Sequence, residues 1–394
     1  MLRFTTAGES HGPALVAVLE GMVAGVPLSA DDVNGELARR QQGYGRGRRM
    51  QIESDSVEFL SGVRAGETIG SPIAMLIRNR DWKNWSEIMD PARNASDPEN
   101  RKRAVTRPRP GHADLSGMLK YDRSDARDVL ERASARETTA RVAASAVCRR
   151  FLAEFSVRVG SHVVQLGGID ASVPEPMPDD INAAVADSPL RTLDRDSEKR
   201  MIARIDDAKR DGDTLGGICE VVCSGLPVGL GSYVSWDRKL DGRLASAVMS
   251  IPAVKGVELG LGFEAARLPG SRVHDEIHAD RAAPRAGGVH RASNRAGGLE
   301  GGMTTGEPLV IRVAMKPIST LMKPLATIDT ETRDPATAVA ERSDVTAVPA
   351  MGVIAEGMVA FVVAQAFLEK FGGDSLGETR ANYDSYIARI NERR

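Results

Sequence analysis

Residues 103–141 read RAVTRPRPGHADLSGMLKYDRSDARDVLERASARETTAR, and the rest of the chain is organised around them. Arg107-Pro108-Arg109-Pro110-Gly111-His112 reads as a stiff loop. The prolines fix φ and disfavour helix in the residue before each. Gly111 allows a sharp turn beside His112. One imidazole is thus presented between guanidinium groups, which disfavour the imidazolium unless an anion screens them. That is the layout of an oxyanion site with a proton-transfer group inside it. ERASARET at 131–138 ends the stretch and leads into an Ala/Val-rich helix, expected from about Ser134 to Phe155 and expected to be buried. Ser134 or Thr138 could present a hydroxyl near that helix's N-terminus, where unpaired N–H groups favour anions. The plainer reading is a basic surface loop followed by an ordinary helix.

The 394 residues allow two or three domains or one large body. With only 4% aromatic residues, the core must come from Val, Leu, Ile and Ala. A net charge of −2 argues against a nonspecific nucleic-acid binder. Arg nevertheless outnumbers Lys several-fold, and Arg is the better planar fork for carboxylate and phosphate. A coding bias towards Arg accounts for part of that excess. Cys148, Cys219 and Cys223 are too few for a disulfide framework and read as buried thiols. No signal-peptide layout and no apolar run of membrane-spanning length is read, so a reducing cytoplasm is expected.

Gly8-Glu9-Ser10-His11-Gly12 lies between a short strand and an apolar strand. It matches the G-x-S-x-G pattern of serine hydrolases, although that elbow belongs between a strand and a helix. Ser29 should cap a helix carrying Asp31 and Asp32 at its start and Arg39 and Arg40 at its end. Gly43–Arg49 alternates glycine with arginine, as in a loop closing over an anion or one contacting RNA. Residues 51–78 read as strands. Residues 79–103 read as a long excursion with Trp82 and Trp85, of the kind that forms lids or oligomer contacts. A strand is expected over 157–169, with His162 structural, and an exposed helix within 172–200 opened by Asp179-Asp180.

Residues 214–231 echo 12–27, and each stretch leads to a helix, the second at about 239–250. One domain of two weakly related halves is expected, about 1–200 and 201–372, with a polar, peripheral tail 373–394. His274, His278 and His290 lie in a Gly/Arg-rich segment, 267–302, whose spacing fits no metal motif, so a loop ordered by binding and no metal are expected. Glycine/threonine and Lys-Pro-x-Ser-Thr turns at 300–308 and 316–320 suit phosphate. A long apolar helix should span about 352–371. No P-loop and no strand–GxGxxG–helix unit is present.

GESHG (8–12), Arg40 with Gly43–Arg49, RPGHAD (109–114), ERASARET (131–138), AVKGVE (253–258), GGMTTG (301–306), MKPIST (315–320) and RSDVTAVPAMGVIAE (342–356) together resemble the chorismate synthase family. The likeness runs through nearly the whole chain. One departure is Ala133, where the family usually has serine, so only Ser134 offers a hydroxyl there.

The resemblance implies an α+β fold, a single β–α–β sandwich with a helical layer between two antiparallel sheets, assembled as a homotetramer. It implies anti-1,4-elimination of phosphate from 5-enolpyruvylshikimate 3-phosphate to give chorismate. Reduced FMN would be required without net redox change, with NADPH as an indirect reductant; no separate reductase module is read in the chain, so an external flavin reductase is expected to supply it. Carried over, His11 protonates the leaving phosphate, His112 protonates the reduced flavin and Asp344 assists proton removal through flavin N5. Ser10, Arg40, Arg46, Arg109 and Arg136 bind substrate. Arg40 and Arg46 (also attached to NADP), Arg132, Ala133, Ser134, Pro252, Ala253, Gly301, Lys316, Pro317, Ile318, Ser319, Thr320 and Arg342 line the cofactor. No nucleic-acid or membrane partner is implied. From the residues alone, Asp344 reads first as a salt bridge to Arg342 or a helix cap. A hydrolase using Ser10 and an RNA binder using 43–49 are the rival readings.

Overall fold

The computed structural model describes residues 1–47, 54–92, 103–339 and 344–392. Strands β1 (Arg3–Ala7) and β2 (Ala14–Glu20) form a hairpin across the GESHG turn. Alternation in β2 sends Leu15, Ala17 and Leu19 inward. Helix α1 (Ala30–Gln41) starts at Ser29, whose side chain accepts from the Asp32 N–H while Asp32 reaches back to the Ser29 N–H. That reciprocal cap is the reason the helix begins there. Strands β3 (Val57–Phe59) and β4 (Ile73–Arg78) complete an antiparallel sheet of order β1-β2-β4-β3.

Beyond helix α2 (Asp114–Tyr121), helix α3 (Glu137–Ala153) packs on β2. The second sheet is also antiparallel. It comprises β5 (Arg158–Leu166), the short β6 (Ile169–Asp170), β7 (Gly217–Ser224), β8 (Val254–Leu259) and β9 (Leu309–Met315), in the order β8-β9-β7-β5-β6. Helix α4 (Arg195–Asp211) precedes β7, and α5 (Leu240–Met249) joins β7 to β8. Helix α6 (Val348–Phe371) packs against α3 on one side and β5 and β7 on the other. Small residues permit this. A Cβ on Gly357 would lie 3.0 Å from Ser145 Cβ, and one on Gly352 would lie 2.9 Å from Ser161 Oγ. Burial there pushes the Cys219 thiol up to about 12.

The two sheets share one path. In the first, β1, β2, α1, β3, β4 and α3 follow in turn; in the second, β5, β7, α5, β8, β9 and α6 do so, with matching strand order. The chain passes between sheets at 154–157, so β5, placed by sequence in a first half ending near 200, belongs to the second sheet.

Other expectations need correction. Within 172–200, Asp180 caps only the turn Ile181–Ala184. The long helix is α4, capped by Asp194, and its buried Met201, Ile205 and Ala208 hold it on the body. The tail is not peripheral. Helix α7 (Leu376–Glu392) buries Tyr383 against Phe155, Phe367 and Phe371. Segment 267–302 is not without its own structure. It contains the hairpin Ile277–Ala279 with Val289–Arg291, and Asp275 accepts from Ser293 Oγ and from the N–H groups of Arg295 and Ala296. Finally, α6 is long and apolar enough to cross a membrane by composition, contrary to the sequence reading, but it is the buried central helix.

Candidate active site

The segment 131–138 is the hub. On one side it holds the GESHG turn: the Glu131 carbonyl accepts from the Ser10 N–H at 2.9 Å, and Ser134 Oγ donates to Ser10 Oγ at 3.2 Å. His11 Nδ1 lies 2.8 Å from Glu131 Oε1, and its ring stacks on Trp85 at 3.8 Å. Asn79 fastens the same turn, donating to the carbonyls of Glu9 and Gly12 and accepting from Arg136 at 2.8 Å. Sequence reading gave no role to Glu131, Asn79 or Asp55. The acid three residues before Ser134 was the available signal for Glu131.

On the other side lies a cluster of guanidinium groups. Arg136 pairs with buried Asp55 at 2.6 Å. Arg40 donates from Nε to Thr138 Oγ1 at 3.0 Å and from Nη2 to the Ala135 carbonyl at 2.8 Å. Burial and the neighbouring charge of Arg46 push its pKa down to about 9, with Arg136 adding to them against Asp55 and Asp344. Arg40 Nη1 and Arg46 Nε are buried without a hydrogen-bond partner among the described residues. An arriving anion would relieve both the crowding and the unused donors.

Arg46 Nη1 lies 3.3 Å from Asp344 Oδ2, and the Gly47 N–H donates to Asp344 Oδ1 at 2.6 Å. Asp344 therefore ties loop 43–47 to the approach of α6. Its expected partner Arg342, like Arg48 and Arg49, lies outside the described residues. Because only 10% of the Arg46 side chain is exposed and the Gly45 carbonyl accepts from the Val345 N–H, this loop folds inward. An RNA-facing strip is not what it forms.

The second histidine has its own acid. His112 Nδ1 lies 2.5 Å from Asp114 Oδ1, and Arg109 Nε donates to Asp114 Oδ2 at 2.8 Å. Burial raises the Asp114 pKa, but the bonds from His112 and Arg109 outweigh burial and hold it well below the usual carboxylate range. The anion expected to screen the arginine is thus supplied by the chain. Arg109 Nη1 also donates to Thr320 Oγ1 at 3.0 Å, and Lys316 Nζ donates to the Gly111 carbonyl. A Cβ on Gly111 would lie 3.7 Å from Ser319 Cβ, so RPGH and the 316–320 turn are in direct contact.

A run of contacts links the two histidine centres. Arg132 donates to the carbonyls of Thr6 and Gly8. Thr6 Oγ1 donates to Glu137, which pairs with Arg141, and Arg141 donates to Ser250 Oγ at 2.7 Å. Pro252 and Ala253 follow, and the Lys316 N–H donates to the Ala253 carbonyl at 3.0 Å. Gly301 is the exception. Its neighbour Gly302 accepts from Leu240 at the start of α5, whereas Ala253 follows the end of that ten-residue helix, about 15 Å along.

For a serine hydrolase the surroundings of Ser10 are wrong. Its loop joins two strands, and no helix follows it to form an elbow. His162 is buried in the second sheet, 3.3 Å from Glu220. Among the described residues, no three His, Cys, Asp or Glu side chains gather as metal ligands.

Comparison with known proteins decides the assignment. The family model described as chorismate synthase matches residues 2–368. The chain belongs to the chorismate synthase family. Among curated members of the family, chorismate synthase of Pelobacter propionicus is 58% identical over 395 residues, covering 99% of each chain. That of Rhodococcus jostii is 58% identical, covering 100% of this chain and 99% of its own. A crystal structure of chorismate synthase is 43% identical with a TM-score of 0.79, covering 99% of this chain and 98% of the other. Helix α7 lies beyond the family model, yet within the span shared with these relatives.

Proposed function

We propose that the chain eliminates phosphate from 5-enolpyruvylshikimate 3-phosphate to give chorismate. The observation that carries this reading is the set of buried guanidinium donors on Arg40 and Arg46 beside Arg136, which segment 131–138 and Asn79 join to the turn of Ser10 and His11. They match a substrate bearing two carboxylates and a phosphate. Arg109 is assigned to a further substrate anion, His11 delivers a proton at a phosphate oxygen, and Asp344 assists removal of the proton from carbon. Trp85 covers one face of the His11 ring and the Arg46 side chain is largely withdrawn from solvent, which strengthens the charge contacts each makes. The test is anaerobic assay of the purified chain with substrate and photoreduced FMN. Chorismate and phosphate should form together, and neither should form without FMN.

Reduced FMN is the cofactor of this reading. Lys316, Ser319 and Thr320 form a donor set suited to a phosphate monoester, and Arg132, Ala133, Ser134, Pro252 and Ala253 lie along the connected wall. When bound, the flavin supplies transient electron density that weakens the carbon–oxygen bond. His112, anchored on Asp114, holds a proton at that wall. Because one wall would be shared, FMN and substrate should bind synergistically. Calorimetry giving the same substrate affinity with and without FMN would reject the shared wall.

Asp344→Asn keeps an acceptor for the Gly47 N–H and removes the charge. Fold and FMN binding should persist while phosphate release slows by about 10²–10⁴-fold, the usual worth of a positioned base. Loss of the fold or of FMN binding would make Asp344 structural only.

This reading also places the protein in the cytoplasm, with NADPH as indirect reductant through an external flavin reductase. It takes α1, α3, α5 and α6 as a middle layer between two sheets, supported by the packing of α3 on one sheet and α6 on the other. The matching strand orders support two related halves in one domain. A homotetramer is supported by exposed aromatics at Tyr233, Trp236 and Phe263, and by the distance of Gly301 from the other cofactor candidates.

A further inference from the structure

Glu131 is almost fully buried, and donors surround its carboxylate. Oε2 accepts from the His11 backbone N–H at 2.8 Å, and Oε1 accepts from Arg127 Nη1 at 2.9 Å. Burial raises its pKa, but the bonds from His11 and the charge of Arg127 outweigh burial and keep it below the usual carboxylate range. An ionised carboxylate only accepts, so the proton of the His11–Glu131 bond at 2.8 Å sits on Nδ1. Trp85 stacks on the ring with an interplanar angle of 24°, and the guanidinium of Arg103 lies 4.2 Å from the indole centroid. A half-turn of the imidazole would keep the stack but replace Nδ1 by carbon and lose the bonds to Glu131. Among the described residues, His11 Nε2 has no hydrogen-bond partner.

We infer that Glu131 is a positioning residue for the elimination, holding His11 as an Nδ1–H donor so that Nε2 is the atom that exchanges a proton with the leaving phosphate. The inference rests on the proposed function for its role in turnover, and on geometry alone for the tautomer. It has a definite consequence. Neutral His11 carries its lone pair on Nε2 and only accepts there, so donation to phosphate starts from the imidazolium. The Nε2–H bond breaks, an O–H bond forms on the phosphate, and the electron pair of the carbon–oxygen bond leaves with it. His11 ends neutral, still bonded through Nδ1–H, and Glu131 stays ionised throughout. Arg127 and Trp85 serve the same end by fixing the acid and the ring face.

The test is magic-angle-spinning NMR of the full chain with ¹⁵N-labelled histidine rings, at a pH where the imidazoles are neutral. The chain has 6 histidines, and His11→Asn identifies the signals of one of them. The parent should show His11 with Nδ1 protonated and Nε2 bare. In Glu131→Gln the carboxamide can donate to Nδ1, so the proton should move wholly or partly to Nε2. Its kcat should fall by about 10²-fold with KM little changed, since exchanging such a carboxylate for an amide costs up to ~10⁴ through the wrong tautomer. A parent with Nε2–H at His11 overturns the inference, as does a Glu131→Gln protein with unchanged tautomer and kcat. Should that variant fail to fold, the parent spectrum alone decides. A parent that shows the Nδ1–H form yet releases no phosphate would reject the lyase reading and leave the tautomer assignment standing.

Discussion

Glu356→Ala is expected to destabilise the fold by about 3–5 kcal/mol, the usual result of removing one partner from a buried ion pair. Glu356 is fully buried in α6. Its oxygens accept from Arg39 and Arg149 at 2.8 Å, Arg191 at 2.9 Å, Ser161 Oγ at 2.6 Å and Asn182 at 3.2 Å. Helices α1, α3 and α6, strand β5 and the 182–191 segment thus meet on one carboxylate. Without it, three guanidinium groups face one another at the centre of the body. Burial raises the Glu356 pKa, but Arg39, Arg149 and Arg191 outweigh burial and bring it to about 2. A lowered folded-state pKa means that this contribution is complete above the unfolded value, near 4.3, and fades as pH falls towards 2. Urea titrations should therefore show a large gap between parent and variant at pH 7 that narrows from about pH 5 downwards. A gap under ~1 kcal/mol at pH 7 would mean that the arginines find other acceptors or water.

His11→Ala and His112→Ala should each slow turnover by about 10²–10⁴-fold, the range for a positioned acid or base. Each imidazole is held through Nδ1 by a buried carboxylate, Glu131 for His11 and Asp114 for His112; this leaves Nε2 of His11 for chemistry, while Nε2 of His112 lies 3.5 Å from Arg109 Nη2. Glu131 keeps Arg127 and the backbone N–H of residue 11, and Asp114 keeps Arg109, so truncation should leave the thermal transition nearly in place. The loss should appear in kcat with substrate binding largely retained, because Arg40, Arg46 and Arg136 remain. His278→Ala, on the exposed hairpin, serves as the control and should stay within about twofold of the parent. Full activity in either of the first two variants removes that residue from the mechanism.

Local chemistry in the chain determined a good deal. Ser29 set the start of α1, and the apolar β2 run and the helices near 137–153, 240–249 and 348–371 were legible from capping and composition. Motif order identified the family and both histidines, because flexible glycines and stiff prolines around an imidazole are local signals. Tertiary structure alone chose the partners. Glu131 lies 120 residues from His11, Asp344 lies 297 from Gly47, and Arg39 lies 317 from Glu356. No pattern of period 2 or 3.6 spans such separations. Competing caps were likewise undecidable locally. Asp180 and Asp194 are both good N-caps, and burial of Met201 and Ile205 decided which one opens the long helix. Helix α7 looked polar because its contribution comes from few residues, chiefly Tyr383, and an aromatic cluster from α6 and the residue Phe155 after α3 was needed to receive it. A sequence encodes which groups are available; which charges end up buried together depends on how sheets and helices stack, and that is settled only when distant segments share one core.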